Sequence, residues 1–448
     1  LSEYAPGRTI VVNKRTYRSG GIYFPPTDRK HRWSPAAPFF EQQLEQHVGC
    51  VRCPYVRLEE TSPAEGQLEP CPVCGGQLIA RSLLSPGGFY PEGGRHVDES
   101  NETQIYTSAG NAQMPEFVDR SKLQWRESSG TNFRTCFHRD VELIVVNRGD
   151  DDEGFGVCEK CGAAWPNETI SSDGSHGVPF LTPPTVRSSC NGRIRKRLFL
   201  SHQFRTDTLL LQINSKSPLD LRPTHPWVND ALLTLAEAFA LGATIHLDID
   251  HSEISAGYSH RMSDVADTSV AEIFLYDTAA GGAGYSADAG REIDGVVEHV
   301  RKLLTDCPVD CAQSCTRCLR HYRNRFIHTR LDRHLALSLF DYAINGTVPG
   351  LLMSEHQEEL LAPLRRFFEL DGWSASTDRS RERPLSVSKS GAKFVVGVYP
   401  SLLDQASAGT SLGLTPRSGE RAVAIPDFAI LRDLPAVHRH IVSGTPLG

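Results

Sequence analysis

The chain has 448 residues, 39% of them hydrophobic and 23% charged, with a formal net charge of −7. That is enough chain for about three domains, and the acidic balance excludes a global basic field of the kind that attracts nucleic acid. Arginine outnumbers lysine 38 to 9; arginine forks suit phosphate oxygens, but the ratio alone decides nothing.

The chain opens at Leu1 and runs through Leu1-Ser-Glu-Tyr-Ala-Pro-Gly7 into an alternating stretch over 9–17. That stretch predicts a strand, a polar turn at Asn13-Lys14 and a second strand. So abrupt an opening is read as the C-terminal part of a longer polypeptide. Residues 1–45 are expected to form a small β element, with a loop at 24–28 leading to the first cysteines. A zinc ribbon and its linker follow over 46–125, and the Gly-, Pro-, Ser- and Asn-rich stretch 81–120 reads as loop. A second zinc-binding module is expected over 126–200, with a strand at 141–146 and an acidic turn at 150–153.

From 201 to 346 the texture alternates between strand and helix. Strands are expected at 208–213, 243–248 and 272–276. Helices are expected at 227–241, ended by Gly242, and at 290–304 and 331–345, with a tight glycine loop at 281–285. The tail, 347–448, reads as a helix over 355–370 and one strand, 393–398, in otherwise polar surroundings. The predicted fold class is α/β, of the α+β mixed kind, with inserted zinc-ribbon-like modules. No apolar leader and no long apolar run is visible, so the chain is expected to be cytoplasmic, with no membrane partner.

Eleven of the twelve cysteines fall into three clusters. Cys50-x2-Cys53 and Cys71-x2-Cys74 are two knuckles at zinc-ribbon spacing, and Cys71-Pro-Val-Cys74-Gly-Gly supplies the small residues that tight knuckle turns need. Cys158-x2-Cys161 is followed by the lone Cys190. His176 is the candidate fourth ligand there, with Cys136, His138 and His202 as rivals. Cys307, Cys311, Cys315 and Cys318 form the third cluster. Closely spaced thiolates converge on one soft cation, and four close a tetrahedral shell. A chain this long can bury a large core and does not need covalent staples. The reading is therefore two to three structural Zn2+ sites rather than disulfides.

After Cys318 the chain reads Leu-Arg-His-Tyr-Arg-Asn-Arg-Phe-Ile-His-Thr-Arg-Leu-Asp-Arg333. A zinc site holding this segment can present Arg317, Arg320, Arg323, Arg325 and Arg330 to phosphates, while Tyr322 stacks on a base. The competing reading has these arginines solvating a helix face and pairing with Asp306, Asp310 and Asp332. Three other motifs point to chemistry more weakly. Gly281-Gly-Ala-Gly284 lacks the spacing and lysine of a P-loop, and a close approach of strand and helix explains it better. His246, Asp248, Asp250, His251 and Glu253 could suggest a hard-metal nuclease centre, and Pro426-Asp427 resembles a nuclease motif without the acid-x-lysine that completes it. No catalytic residue is assigned.

A family resemblance joins these pieces. The opening motif, His202-Gln-Phe-Arg-Thr-Asp207, Tyr276-Asp277 with Gly281-Gly-Ala-Gly-Tyr285, and the Cys307–Cys318 cluster followed by Leu331-Asp-Arg333 resemble the MrfA-like zinc-binding domain. That domain lies at the C-terminus of large superfamily-two DEAD/DEAH-box DNA helicases, and related regions occur in anti-phage systems such as DISARM and Druantia. The resemblance is strongest over 195–346 and leaves the tail after 371 uncovered. It implies one zinc on Cys307, Cys311, Cys315 and Cys318, and a domain that helps a motor engage single-stranded DNA. No Walker A loop and no DEAD/DEAH box occurs in these residues, so ATP enters only through a motor in cis or in trans, with other defence-system subunits as further expected partners. The alternative functions are a non-enzymatic scaffold docking on a separate helicase and a metal-dependent nuclease.

Overall fold

Strand-forming alternation dominates the first half of the sequence and helical periodicity the second, and the structure divides accordingly. The computed structural model describes residues 4–23, 40, 44–60, 68–96, 110–115, 123–127, 132–166, 175–182, 188–261 and 268–447. The loop expected at 24–28 and the linker stretches 97–109 and 116–120 lie outside the described residues. One compact unit comprises Leu1–Leu123, His138–Thr208 and Tyr276–Gly284. The other comprises Gln124–Phe137, Leu209–Leu275 and Tyr285–Gly448. Together they make the mixed α/β protein that the sequence predicts.

In the first unit, strands Thr9–Val12 and Arg15–Tyr23 pair antiparallel with Val12 opposite Arg15. Asn13 and Lys14 both take positive φ at the turn, the backbone twist that a two-residue hairpin loop requires. The ribbon is a three-stranded antiparallel piece, with Leu44–Cys50 between Val56–Glu59 and Leu78–Leu84. Part of 81–120, expected as loop, is therefore sheet, since Gly88–Pro91 also pairs with Arg15–Tyr23. The reason is burial. Leu83 and Leu84 are almost fully enclosed, and Leu84 joins Ile22, Phe40, Phe155, Leu198 and Leu200 in one apolar cluster.

The second unit is organised by helix α1 (Val228–His246). Helices α2 (Tyr285–Arg291), α3 (Ile293–Thr305) and α4 (Arg333–Asn345) follow. Helix α1 shares a core with Leu209, Leu211 and Ile213 of strand Ile194–Lys216 and with Ile273 and Leu275 of strand Thr268–Asp277. Phe133 stacks on Phe239 within it, centroids 6.0 Å apart. Each such enclosed side chain contributes about 1.5–3 kcal/mol.

The strand expected at 243–248 does not form, because the helix continues through Gly242 to His246. At Gly242 a Cβ would lie 2.8 Å from the Val300 side chain. The glycine allows the close approach of α3 rather than a helix stop. Helix α1 is long and apolar enough to cross a membrane, but 72% of its most apolar window is buried in this core.

The tail makes the largest departure from expectation. Helix α5 (Ser354–Leu370) packs on a four-stranded sheet. Ser374–Thr377, Leu385–Lys389 and Ala392–Tyr399 run antiparallel, and Arg421–Pro426 adds parallel to the last of these. Helices α6 (Gln405–Leu412), α7 (Asp427–Arg432) and α8 (Leu434–Ser443) complete it. The single strand expected at 393–398 is thus one of four. Alternate apolar residues, Leu385, Val387, Val396, Val398 and Ile425, feed a core with Leu361, Leu364 and Phe368.

One buried histidine sets a pH dependence. His260 Nδ1 hydrogen-bonds the Leu221 carbonyl and Nε2 lies 3.0 Å from Asn229 Oδ1, and burial pushes its pKa down to about 4. Below pH 6.5 the unfolded chain takes up a proton that the folded chain refuses until about pH 4. Stability should therefore fall across that window by up to about 1.4 kcal/mol per pH unit for this residue. Urea titrations at about pH 6.5, 5.5 and 4.5 should show a shallower decline for His260→Gln than for the parent.

Candidate metal centres and the arginine segment

The first tetrad grows from the ribbon. Cys50 ends strand Leu44–Cys50, and the turns that follow bring Cys53, Cys71 and Cys74 to it. Cys50 and Cys74 sulfurs are 3.4 Å apart, and those of Cys53 and Cys71 are 3.6 Å apart. Backbone amides of Arg52 and Gly76 point at the Cys50 and Cys74 sulfurs. A Cβ on Gly76 would stand 3.1 Å from both of those sulfurs, so the knuckle needs glycine there. Val48 and Leu78 close the apolar side.

The second tetrad joins Cys158, Cys161, His176 and Cys190. His176 stands opposite Cys190 on a two-residue antiparallel ladder, which places its Nε2 3.3 Å from Cys161 Sγ. Cys158 and Cys190 sulfurs are 3.8 Å apart, and the Trp165 ring meets His176 edge-on. The three rivals lie elsewhere. Cys136 is buried with its sulfur on the Phe137 carbonyl, His138 bonds the Arg139 carbonyl, and His202 stacks on Phe204.

The third tetrad lies directly behind α3. Sulfur separations for Cys307–Cys311, Cys307–Cys315, Cys311–Cys318 and Cys315–Cys318 run from 3.6 to 3.8 Å. Amides of Cys311 and Val309 pull the Cys307 thiol down to about 6, whereas burial pushes Cys311 up to about 12. In each tetrad the four ligand atoms lie within 4.8 Å of one another. A zinc–sulfur bond of about 2.3 Å in a tetrahedral shell puts sulfurs about 3.8 Å apart. The donor sets fit a soft divalent cation, and thiolates this close need one to offset their charge.

Beyond Cys318 a short 3₁₀ segment, Tyr322–Ile327, carries Arg323 and Arg325 of the six arginines. Buried Asn324 fastens it. Its amide nitrogen donates to Glu237 of α1 and to the Leu319 carbonyl, while its oxygen accepts from the His321 amide and lies 2.9 Å from His328 Nε2. The arginines then separate by role. Arg320 donates to Ser314 Oγ, and Arg330 pairs with Asp230 at 2.7 Å. Arg325 lies over the rings of Tyr322 and Phe326. Arg317 and Arg323 are exposed and make no side-chain ion pair within 4 Å among the described residues.

Arg333 departs from the solvated or phosphate-facing role that its neighbours suggest, for its side chain is only 3% exposed. Its Nε donates to the Cys311 carbonyl, its Nη1 to the Leu304 and Thr305 carbonyls, and its Nη2 pairs with Asp310. It staples both ends of the cysteine loop. Of the other acids expected to pair here, Asp306 accepts from Thr305, and Asp332 caps α4 and meets Arg432.

The remaining motifs resolve into structure. Asp277 is buried, and its Oδ2 accepts from the amides of Ala283 and Gly284 at 2.6 Å, so the glycine loop wraps the chain's own carboxylate. His246 sits at the end of a helix, not a strand, and pairs with Glu292, while Asp250 caps the following turn through the Ser252 amide. Asp427 accepts from the Ser401 amide and hydroxyl and from the Phe428 amide. Among the described residues, the three tetrads are the only places where three or more metal-ligating groups converge.

A mixed α/β protein with three clustered Cys and His tetrads is the class that fold and site define. Residues 235–319 match the family model of the MrfA Zn-binding domain. The third tetrad lies wholly within the match; the other two lie outside it. Over 98% of its length the chain is 35% identical to Druantia protein DruE of Escherichia coli (strain UMEA 4076-1). It spans 24%, about a quarter, of that relative. Among solved structures it is similar to the DUF1998 helicase MrfA bound to DNA, with 16% identity, 57% of this chain and 27% of that chain covered, and a TM-score of 0.30. The same helicase bound to DNA and AMPPNP gives 12% identity, 73% and 35% coverage, and a TM-score of 0.21.

Proposed function

We propose that this chain is the zinc-organised, DNA-engaging region of a larger ATP-dependent DNA helicase, acting in anti-phage defence or repair. In this reading Zn2+ occupies all three tetrads: Cys50, Cys53, Cys71 and Cys74; Cys158, Cys161, His176 and Cys190; Cys307, Cys311, Cys315 and Cys318. The metals hold loops rigid. The chain's own residues then bind and orient the nucleic acid, and a motor outside these residues supplies the force.

The observation that carries the reading is one of charge. Of the six arginines in residues 307–334, Arg333 is buried on Asp310 and Arg330 pairs with Asp230, which leaves Arg317, Arg320, Arg323 and Arg325 as the cations of this surface in a chain whose net charge is −7. This local cationic patch is fixed by the third tetrad and Asn324, with Arg317 and Arg323 free to meet phosphates. Arg320, Arg325, Arg330 and Tyr322 border it.

The test leaves Arg320 and Arg330 intact, because both bond the fold. Arg317→Ala combined with Arg323→Ala should weaken binding of a single-stranded oligonucleotide regardless of sequence. It should also lower the slope of log K against log salt by about 0.7 for each phosphate no longer neutralised. Zinc content and melting temperature should stay at the parent's values. A double variant that binds like the parent at every salt concentration would remove this reading and favour a scaffold that docks on a separate helicase.

A further inference from the structure

Two exposed aromatic side chains lie in this segment. Tyr322 is 77% and Phe326 52% exposed. The Arg325 guanidinium lies over both rings, 4.2 Å from the Tyr322 centroid and 4.3 Å from the Phe326 centroid. Arg325 also donates to the Tyr322 carbonyl, which fixes its place in the stack. Exposed aromatic rings are costly to leave in water, and a guanidinium stacked over two rings on a rigid 3₁₀ turn has little conformational freedom left to lose on binding.

From this arrangement we infer that Tyr322, Arg325 and Phe326 form a stacking platform for an unpaired nucleobase, and so select single-stranded over duplex nucleic acid. The inference rests on the DNA-engaging reading above and adds the chemistry of the ligand. Arg325 covers one face of Tyr322, so a base stacks on the other face. Paired bases present no free face to such a ring, whereas every unpaired base does. Charge favours nucleic acid over a protein partner here. Arg323 follows Tyr322 in the chain and, like Arg317, is exposed, so phosphates beside a stacked base have guanidinium groups to meet. Asn324 acts as a positioning residue, since its bonds to Glu237 and Leu319 set the turn that aims both rings outward.

The experiment compares a single-stranded oligonucleotide with an abasic strand of the same length and charge, using the zinc-loaded protein. The parent should bind the base-bearing strand about tenfold more tightly. Tyr322→Leu with Phe326→Leu should lower that affinity to the abasic level, leaving abasic binding and the salt slope unchanged. Tyr322→Trp with Phe326 intact should retain the preference. Equal binding of both strands by the parent would overturn the platform while leaving the phosphate reading in place, and would assign the exposed rings to a protein partner. An undiminished preference in the leucine variant would overturn it too. Failure to bind either strand would overturn both readings together.

Discussion

The purified protein should contain three zinc ions per chain, and stripping them should unfold the regions that they organise. Structural zinc binds zinc-finger peptides with about 10–16 kcal/mol of apparent free energy, which matches or exceeds the whole stability of an ordinary domain, about 5–15 kcal/mol. The third site illustrates why. Cys318 belongs to the same apolar core as α1 and α4, and Cys307, Cys311 and Cys315 pack against it. Without a cation, four sulfurs within 4.8 Å must either protonate or repel. Elemental analysis should give three zincs for the parent and two for Cys71→Ser or Cys315→Ser, each variant losing cooperative unfolding locally. Less than one zinc per chain in a metal-replete preparation would refute the reading of all three centres.

The cysteine groupings are legible in the sequence because spacing alone constrains them. A CxxC pair on a tight turn has few other geometries, and the glycines after Cys74 and Cys161 announce the turn. His176 is harder, since nothing local marks a loop histidine as the neighbour of three distant cysteines. Its position follows from pairing with Cys190, a long-range ladder that no local pattern encodes. The strand expected at 243–248 does not form, although Thr244 and Ile245 look like strand residues, because burial of Ala243 and Thr244 beside α3 favours helix. In the tail, Leu385 and Val387 alternate with serines. So short a period-two signal is lost among polar neighbours until the sheet that buries it is visible. The role of Arg333 is hidden for the opposite reason: six arginines in one stretch resemble a uniform charged face, and only the fold shows that one of them points inward.

That inward arginine gives the last prediction. Arg333→Ala should cost about 3 kcal/mol, because the carbonyls of Cys311 and Leu304 lose a charged donor whose own side chain is only 3% exposed. Arg333→Lys should recover only part of this, since an ammonium lacks the planar fork that spans both carbonyls and Asp310 at once. The damage should be local. Arg333 also receives the chain at the start of α4, where its amide donates to the Gln313 carbonyl, so its loss loosens the loop carrying Cys307 to Cys318 and spares the other two tetrads. Under a graded chelator challenge, the alanine variant should release one zinc at a lower chelator concentration than the parent and retain the other two at the parent's threshold. Simultaneous loss of all three would mean that Arg333 supports the fold globally, and release of none would mean that the cysteine loop holds its shape without the staple.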